Sequence, residues 1–142
     1  MKETVINNII RQATRLGACR LTESVNDIQS LASLFYRPQG REFCINNSFP
    51  SLEDFRSMDA DICRQNAVWV DSTVNLHNVR RCAIVNSVAE LTYSGTDAAN
   101  VVVLMHGSKA TIKIRNYAVV KVEKAEDCKV TIINEDNTGI AI

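Results

Sequence analysis

Short apolar patches with a two-residue period follow one another along the second half of the chain, and this pattern restricts the fold more than any other feature. Side chains that alternate in this way lie on one face of a β-strand. From Leu91 onward the patches begin 10, 11, 8, 10 and 10 residues apart. A near-constant advance of this kind is typical of a structural repeat. The nine patches are Val68/Val70, Val74/Leu76, Ala83/Val85, Leu91/Tyr93, Val101/Val103, Ile112/Ile114, Val120/Val122, Val130/Ile132 and Ile140/Ile142.

The residues before and after Asn66 differ in composition. Thirteen of the fifteen valines follow Asn66, whereas all four phenylalanines and both prolines precede it. β-Branched side chains favour strands because they keep their preferred rotamers on a pleated surface. We therefore divide the 142 residues into a helical capping module, residues 1–66, and a β-rich module, residues 67–142, which together form one folding unit.

About three short helices are predicted in the first module. Apolar residues recur at helical spacing from Val5 to Leu16 and again from Val25 to Phe35. The second of these helices begins near residues 22–24 and must end before Pro38, whose ring excludes helix continuation. Ser51 is a suitable N-cap for a third helix, because acidic residues follow it in the first turn. The first two helices are expected to pack as a hairpin.

The β-rich module is predicted to be a short parallel β-solenoid, which makes the chain an α+β protein. Asparagines lie between the patches, and asparagine tolerates the left-handed backbone of a tight corner. Two-residue Asn-Gly and Asp-Gly turns are absent, which counts against an antiparallel meander. A β-sandwich or barrel with a helical cap is the alternative fold. The asparagines expected at corners are Asn75, Asn78, Asn86, Asn100, Asn116, Asn134 and Asn137.

Three segments of this module align as successive rungs. They begin at Lys109, Ala118 and Cys128, and each has a small residue or cysteine near its start, β-branched residues inside and a polar exit. In these features residues 109–137 resemble the rungs of right-handed parallel β-helix proteins, a class that includes phage tail-associated fibres, filament-forming scaffolds and polysaccharide lyases. The resemblance is at the level of the class and carries no catalytic motif.

Charge and cysteine content limit the partners and the compartment. Sixteen basic residues balance sixteen acidic ones, so the chain lacks the broad attraction that nucleic-acid and anionic-membrane binders use. The longest uninterrupted apolar run, Val101 to Met105, is far shorter than a membrane-spanning helix. Five widely spaced cysteines without a C-x-x-C pair indicate neither disulfides nor zinc. We expect a cytoplasmic protein or a component of a phage-like particle, without a signal peptide, membrane span or nucleic-acid partner.

No catalytic, cofactor or metal site is predicted. Cys82 and Cys128 begin strand patches and are expected to pack in the core, while Cys44 is expected to be buried or half-buried. His77 and His106 do not form a ligand pair and are expected at turns or on the surface, with His106 at the exit of a strand. A small hydrolase or transferase that uses Cys44 or His106 is the least favoured function.

Several polar features have both a functional and a structural interpretation. Glu126/Asp127 and Glu135/Asp136 are predicted to mark corresponding corners of successive passes of the chain. Together with Tyr93 and Tyr117 they are the surface that a carbohydrate- or small-ligand-binding module would use, although aromatic residues make up only 6% of the chain. Arg80/Arg81 is expected to be a surface turn, because one basic pair without interleaved aromatics is not a nucleic-acid platform. The segment 107–109 lacks the rest of a phosphate-binding loop.

The two ends of the solenoid pose an energetic problem, because exposed strand edges invite uncontrolled pairing. Trp69 lies where helices give way to strands and is expected to close one end against the helical module. The other end finishes in Thr138–Ile142, a bare strand, which we predict is buried against another subunit or partner. The leading function is therefore a non-catalytic structural or protein–protein interaction module, a homo-oligomer in a phage-like or surface assembly.

Overall fold

Four helices precede the strands in the computed structural model, which describes residues 9–11, 27–95 and 99–142. Helix α1 spans Ile28–Phe35, α2 spans Pro38–Asn47, α3 spans Leu52–Arg56 and α4 spans Ala60–Gln65. Residues 9–11 are also helical, and Ile9 is fully buried. The rest of the helix predicted from Val5 to Leu16 lies outside the described residues. The second predicted helix begins at Ile28 and not near residues 22–24, because the backbone of its N-cap residue Asp27 is extended.

Pro38 separates α1 from α2 and acts on both helices. Asp27 caps α1 by accepting a hydrogen bond from the backbone N–H of Ser30 (2.7 Å), and α1 ends before Pro38 as predicted. Pro38 then takes the first position of α2, where its missing N–H is not needed. Ser51 caps α3 as predicted, because its hydroxyl accepts from the N–H of Asp54.

Helices α2 and α4 are absent from the sequence prediction, so the helical module contains more short helices than expected. Helix α2 buries only Gly40, Arg41 and Cys44, which do not form a continuous apolar stripe. Helix α4 is six residues long and buries only Cys63. The amphipathic period that identifies longer helices is too weak to detect over such segments.

All nine predicted patches form strands. The first eight patches lie within single strands, and the last forms the two-residue strand β9, with Ile142 just beyond it. The strands are β1 (Val68–Val70), β2 (Thr73–His77), β3 (Arg81–Val85), β4 (Val88–Ser94), β5 (Ala99–Met105), β6 (Lys109–Arg115), β7 (Val119–Lys124), β8 (Lys129–Asn134) and β9 (Ile140–Ala141).

The strands form two sheets in which all paired strands are parallel, as predicted. The odd-numbered strands form one sheet in the order β1-β3-β5-β7-β9, and the even-numbered strands form the other in the order β2-β4-β6-β8. Consecutive strands therefore lie in different sheets, and each strand pairs with the one two positions later. Paired residues are 15 apart at the start, as in Val68 with Ala83. They are 20 or 21 apart later, as in Lys109 with Lys129 and Val119 with Ile140.

The predicted alignment of ten-residue rungs is wrong in one respect. The segments that begin at Lys109 and Ala118 supply β6 and β7, which belong to different sheets, so they do not stack on each other. Lys109 pairs instead with Lys129 of β8. An advance of about ten residues covers one strand and one corner, and two such advances are needed to return to the same sheet. Alternation alone does not reveal this, because both sheets bury alternate side chains.

Two apolar clusters hold these layers together. One lies between the sheets and contains inward-facing side chains such as Cys82, Leu91 and Ile112. Trp69, which was expected to contact the helical module, packs against this inter-sheet cluster. The second cluster joins the helices to the outer face of the odd-numbered sheet, a contact that the sequence analysis does not predict. Its members include Phe35, Phe49 and Phe55 from the helical region and Val68, Ala83, Val85, Val103 and Met105 from β1, β3 and β5.

Four of the seven asparagines expected at corners have the left-handed backbone that a corner requires. The other three do not lie at such corners, because Asn75 is in β2, Asn100 is in β5 and Asn134 ends β8. Asn100 is buried and its side-chain amide donates to the carbonyl of Val119 (3.0 Å), which satisfies a polar group within a strand. The four corner residues are Asn78 (φ 53°), Asn86 (φ 45°), Asn116 (φ 51°) and Asn137 (φ 61°).

A stack of serines lines the corners at which the chain enters the even-numbered sheet. Ser72, Ser87 and Ser108 immediately precede β2, β4 and β6, and Cys128 holds the same place before β8. The hydroxyl of Ser87 accepts from the N–H of Ser72 (2.9 Å), and the hydroxyl of Ser108 accepts from the N–H of Ser87 (3.1 Å). Each corner is thus bonded to the next one along the stack.

Candidate functional site

Strands β8 and β9 are the outermost strands of their sheets, and we refer to them as the outer strand pair. Within the described part of the chain, β8 pairs only with β6, and β9 pairs only with β7. A strand with one free edge is a template for pairing with another strand. The two sheets can therefore be extended at this end.

The free edge of β8 presents backbone groups from alternate residues. The N–H groups of Lys129 and Glu135 donate to carbonyls of the neighbouring segment 108–114 (3.0 and 2.9 Å). In a parallel ladder, successive residues of one strand direct their hydrogen-bonding groups to opposite sides. Val130 and Ile132 therefore direct their N–H and C=O groups to the free side of β8.

Large apolar side chains are exposed at the outer strand pair. Ile132 pairs with Ile112, which is fully buried between the sheets, so Ile132 faces the inter-sheet core with no strand stacked beyond it. Large contiguous patches of exposed apolar side chains are typical of protein–protein interaction sites. The exposed fractions are 38% for Ile132, 41% for Ile133, 56% for Ile140 and 71% for Ile142.

Side-chain hydrogen bonds fix the turn between β8 and β9. The amide of Asn134 accepts from the N–H of Gly139 (3.2 Å) and donates to its carbonyl (2.9 Å). Asp136 accepts from the hydroxyl of Thr138 (2.6 Å) and from the backbone N–H of Asn116 (3.0 Å). These bonds hold the pKa of the Asp136 carboxyl below its usual value, and the bond from Thr138 has the largest effect. The outer strand pair is thus held against the preceding corner.

Opposite charges flank the apolar part of β8. Lys129 begins the strand and Glu135 directly follows it, and both side chains are exposed. The residues between them, 130–134, are uncharged. Neither Lys129 nor Glu135 takes part in any of the four ion pairs found among the described residues. Both side chains are accessible to an external partner, although Glu135 also lies within the electrostatic influence of Lys113.

The four cysteines among the described residues lie in the core. Cys44, Cys82 and Cys128 are buried free thiols, as predicted, and so is Cys63. Burial raises the pKa of the Cys44 thiol to about 12 and that of the Cys82 thiol to about 11. A catalytic cysteine needs the opposite shift, because the thiolate is the nucleophile. The burial of Cys44 and the raised pKa of its thiol therefore do not favour it as a nucleophile.

We expect these thiols to resist alkylation in the native protein. With a pKa of about 12, about one Cys44 thiol in ten thousand is ionised at pH 8. Treatment with iodoacetamide at pH 8, followed by peptide mapping by mass spectrometry, should leave Cys44 and Cys82 unmodified in native protein and modify both in guanidinium chloride. Rapid alkylation of native Cys44 would contradict its burial and restore it as a candidate nucleophile.

The two histidines lie on different sheets. His106 follows β5 at a left-handed corner (φ 56°), so it marks the exit of a strand as predicted. Its Nε2 lies 2.7 Å from the carbonyl oxygen of Pro50, and its ring contacts Phe55 edge to face. His106 thus ties this corner to the segment before α3. His77 is the exposed last residue of β2. Among residues 9–11, 27–95 and 99–142, no group of three His, Cys, Asp or Glu side chains is arranged to hold a metal ion.

The residues predicted for a sugar platform do not come together. Tyr93 is buried and its hydroxyl donates to the carbonyl of Val79 (2.8 Å), while Tyr117 is 64% exposed at the corner between β6 and β7. Glu126/Asp127 precede β8 and Glu135/Asp136 precede β9, so the two pairs lie at corners that lead into different sheets. The prediction that they mark corresponding corners is therefore wrong, because one full passage of the chain contains two corners.

Arg81 has an aromatic neighbour that the sequence does not show. The guanidinium carbon of Arg81 lies 5.5 Å from the centre of the Tyr36 ring, and Arg37 lines the same cavity. Tyr36 and Arg81 are far apart in the chain, so no local motif indicates this contact. The segment 107–109 has no phosphate-binding geometry, because the buried Ser108 hydroxyl is already bonded to backbone carbonyls.

In the described segments of the chain, no helix is both long enough and apolar enough to cross a bilayer. Comparison of the sequence with known protein families, with curated proteins and with solved structures finds no match.

Proposed function

We propose that the chain is a non-catalytic structural and interaction module, in which the two parallel sheets wind as a short β-solenoid and the outer strand pair joins a second copy of the chain. In such a fold each coil contains one strand of each sheet, so consecutive strands alternate between the sheets. A coil of this length also explains why paired residues are 20 or 21 positions apart. Each coil of such a fold covers the one before it, and within the described residues β8 and β9 have no strand on their outer side. The observation that carries the proposal is the free apolar edge of β8 and β9.

The second copy is favoured by the self-complementarity of β8. Antiparallel pairing with its own copy about a two-fold axis at Ile132 places Ile132 opposite Ile132 and Val130 opposite Asn134. These residues direct their backbone groups to the free side, so they occupy the hydrogen-bonded positions of such a ladder. In the same register Lys129 of each copy lies opposite Glu135 of the other. Opposite charges thus flank an apolar centre on both sides of the axis.

The expected association is reversible. Strand β8 has six residues, which span about 20 Å at the usual rise of about 3.3 Å per residue. Packed sheets are about 10 Å apart, so an end face of this size buries less than the roughly 1,200 Å² at which stable interfaces begin. We therefore expect a concentration-dependent equilibrium between monomer and dimer.

We expect Ile132→Lys to shift this equilibrium to the monomer. The change removes the apolar contact at the axis and places two ammonium groups opposite each other, so the dissociation constant should rise by about 100-fold or more. Sedimentation velocity over a series of concentrations measures it. Thr111→Lys adds the same charge to the outer face of β6, away from the free edge, and should leave the dissociation constant unchanged. The proposal is contradicted if the wild-type chain stays monomeric at every concentration, or if Ile132→Lys leaves the dissociation constant of the dimer unchanged.

A charge exchange tests the antiparallel register in the same measurement. Lys129→Glu and Glu135→Lys each create like-charge pairs across the axis, and the double variant restores opposite charges. Exposed ion pairs contribute up to about 1 kcal/mol each and the dimer contains two, so each single variant should weaken association by about tenfold. The double variant should recover most of this loss. A double variant weaker than both single variants would show that the proposed register is incorrect.

A further inference from the structure

A cationic cavity lies where the end of α1, the end of α4 and the start of β3 meet. Its volume is about 500 Å³. Tyr36 and Arg37 line it on the side of α1, and Arg80 and Arg81 line it on the side of β3. None of its lining residues is Asp or Glu. The cavity is therefore lined by three arginines and has the size of a space that small ligands occupy.

Two of the three guanidinium groups are held in position by their neighbours. The hydroxyl of Tyr36 donates to the carbonyl of Ala67 (3.1 Å), which fixes the ring beneath Arg81. A guanidinium above an aromatic ring still directs its N–H groups outward from its edge. Arg37 donates through Nε to the Ser33 carbonyl (3.5 Å) and through Nη2 to the Ser33 hydroxyl (3.3 Å). Each group keeps further N–H donors for a ligand.

The positive charge of the cavity is not neutralised by the described residues. The four ion pairs found among them do not include Arg37, Arg80 or Arg81. The carbonyl ends of α1 and α4 lie close by, but a helix end carries at most about half a negative charge, and short helices carry less. Counted over the described residues alone, about two positive charges remain at the cavity, which suits a multivalent anion.

We propose that this cavity binds a small phosphate-bearing anion, such as a diphosphate or a phosphomonoester. A tetrahedral phosphate offers oxygens in several directions and up to two negative charges, so it can accept from three guanidinium groups at once. A single carboxylate is planar, carries one charge and is satisfied by one guanidinium. The cavity lies beside β1 and β3, the first strands of the odd-numbered sheet, whereas the outer strand pair comes last. The binding site is therefore independent of the proposed self-association.

Isothermal titration calorimetry with inorganic pyrophosphate at low ionic strength tests the site. We expect saturable binding with one anion per chain. Arg80→Gln and Arg81→Gln should each weaken it by about tenfold or more, because each removes charge-assisted hydrogen bonds. Arg80→Lys should weaken it less, since lysine keeps the charge but not the forked donor geometry. Arg115→Gln removes an exposed arginine of β6 on the other sheet and should leave the affinity unchanged.

Several outcomes would overturn this assignment. The assignment is wrong if pyrophosphate does not bind saturably, or if citrate binds as tightly as pyrophosphate. It is also wrong if the Arg115→Gln control loses as much affinity as Arg80→Gln and Arg81→Gln. Binding to vesicles that contain phosphatidic acid, without binding of free pyrophosphate, would show that a lipid headgroup is the ligand instead. If Arg81→Gln fails to fold because Arg81 no longer packs on Tyr36, Arg80→Gln carries the test, since Arg80 makes no ring contact within the described segments.

Discussion

Replacing Gly40 with alanine is expected to lower the free energy of unfolding by about 2 to 3 kcal/mol. Gly40 is buried in α2 against the end of α1. A Cβ atom at this position would overlap the carbonyl oxygen of Leu34 and lie 3.1 Å from its carbonyl carbon. These are backbone atoms, so no side-chain rotation relieves the overlap, and the two helices must separate.

The expected loss of stability is informative, because intrinsic helix propensity alone predicts that Gly40→Ala stabilises the protein. Alanine in place of glycine within a helix stabilises it by about 1 kcal/mol when nothing else changes. Urea unfolding followed by circular dichroism measures the difference. Gln39→Ala, at the exposed preceding position, is the control and should change stability by less than about 0.5 kcal/mol. A Gly40→Ala variant as stable as the wild type would mean that α1 and α2 do not approach each other as described.

The strands are predictable because each patch carries its own alternation. Val130 and Ile132 indicate a strand from their spacing alone, whichever strand lies beside them. The pairing of strands is not a local property, and the sequence does not show that Lys109 pairs with Lys129 while the segment from Ala118 enters the other sheet. Helix α2 escapes detection for a related reason: its contact with α1 depends on the absence of a side chain at Gly40.

The candidate site is only partly predictable. The bare strand at Thr138–Ile142 is visible in the sequence, and Ile140 and Ile142 are exposed there. Strand β8 is the longer of the two free edges, but its apolar residues alternate in the same way as those of the buried strands. Ile132 is exposed only because β8 is the outermost strand of its sheet. The cationic cavity has no sequence signal, because Tyr36 and Arg81 meet only through tertiary structure.

Replacing Ser108 with alanine is expected to lower the free energy of unfolding by about 2 to 4 kcal/mol. Ser108 is fully buried, and its hydroxyl accepts from the backbone N–H of Ser87 (3.1 Å). The same hydroxyl lies within donating distance of the carbonyls of Ile84 (2.9 Å) and Met105 (2.8 Å). Alanine leaves the buried N–H of Ser87 without its acceptor, and a buried unpaired donor costs far more than the net gain of one hydrogen bond.

The stack of serines supplies a matched control for this prediction. Ser72 is only half-buried, and its hydroxyl donates to the carbonyl of Val70 (2.9 Å) without accepting from any backbone N–H in the described segments. Ser72→Ala should therefore cost less than about 1 kcal/mol in the same urea experiment. Ser108→Cys should lie between the two, because a thiol is a weak acceptor of similar shape and Cys128 occupies the equivalent corner before β8. Equal losses from Ser108→Ala and Ser72→Ala would show that the backbone ladders hold the corners without help from the buried hydroxyl.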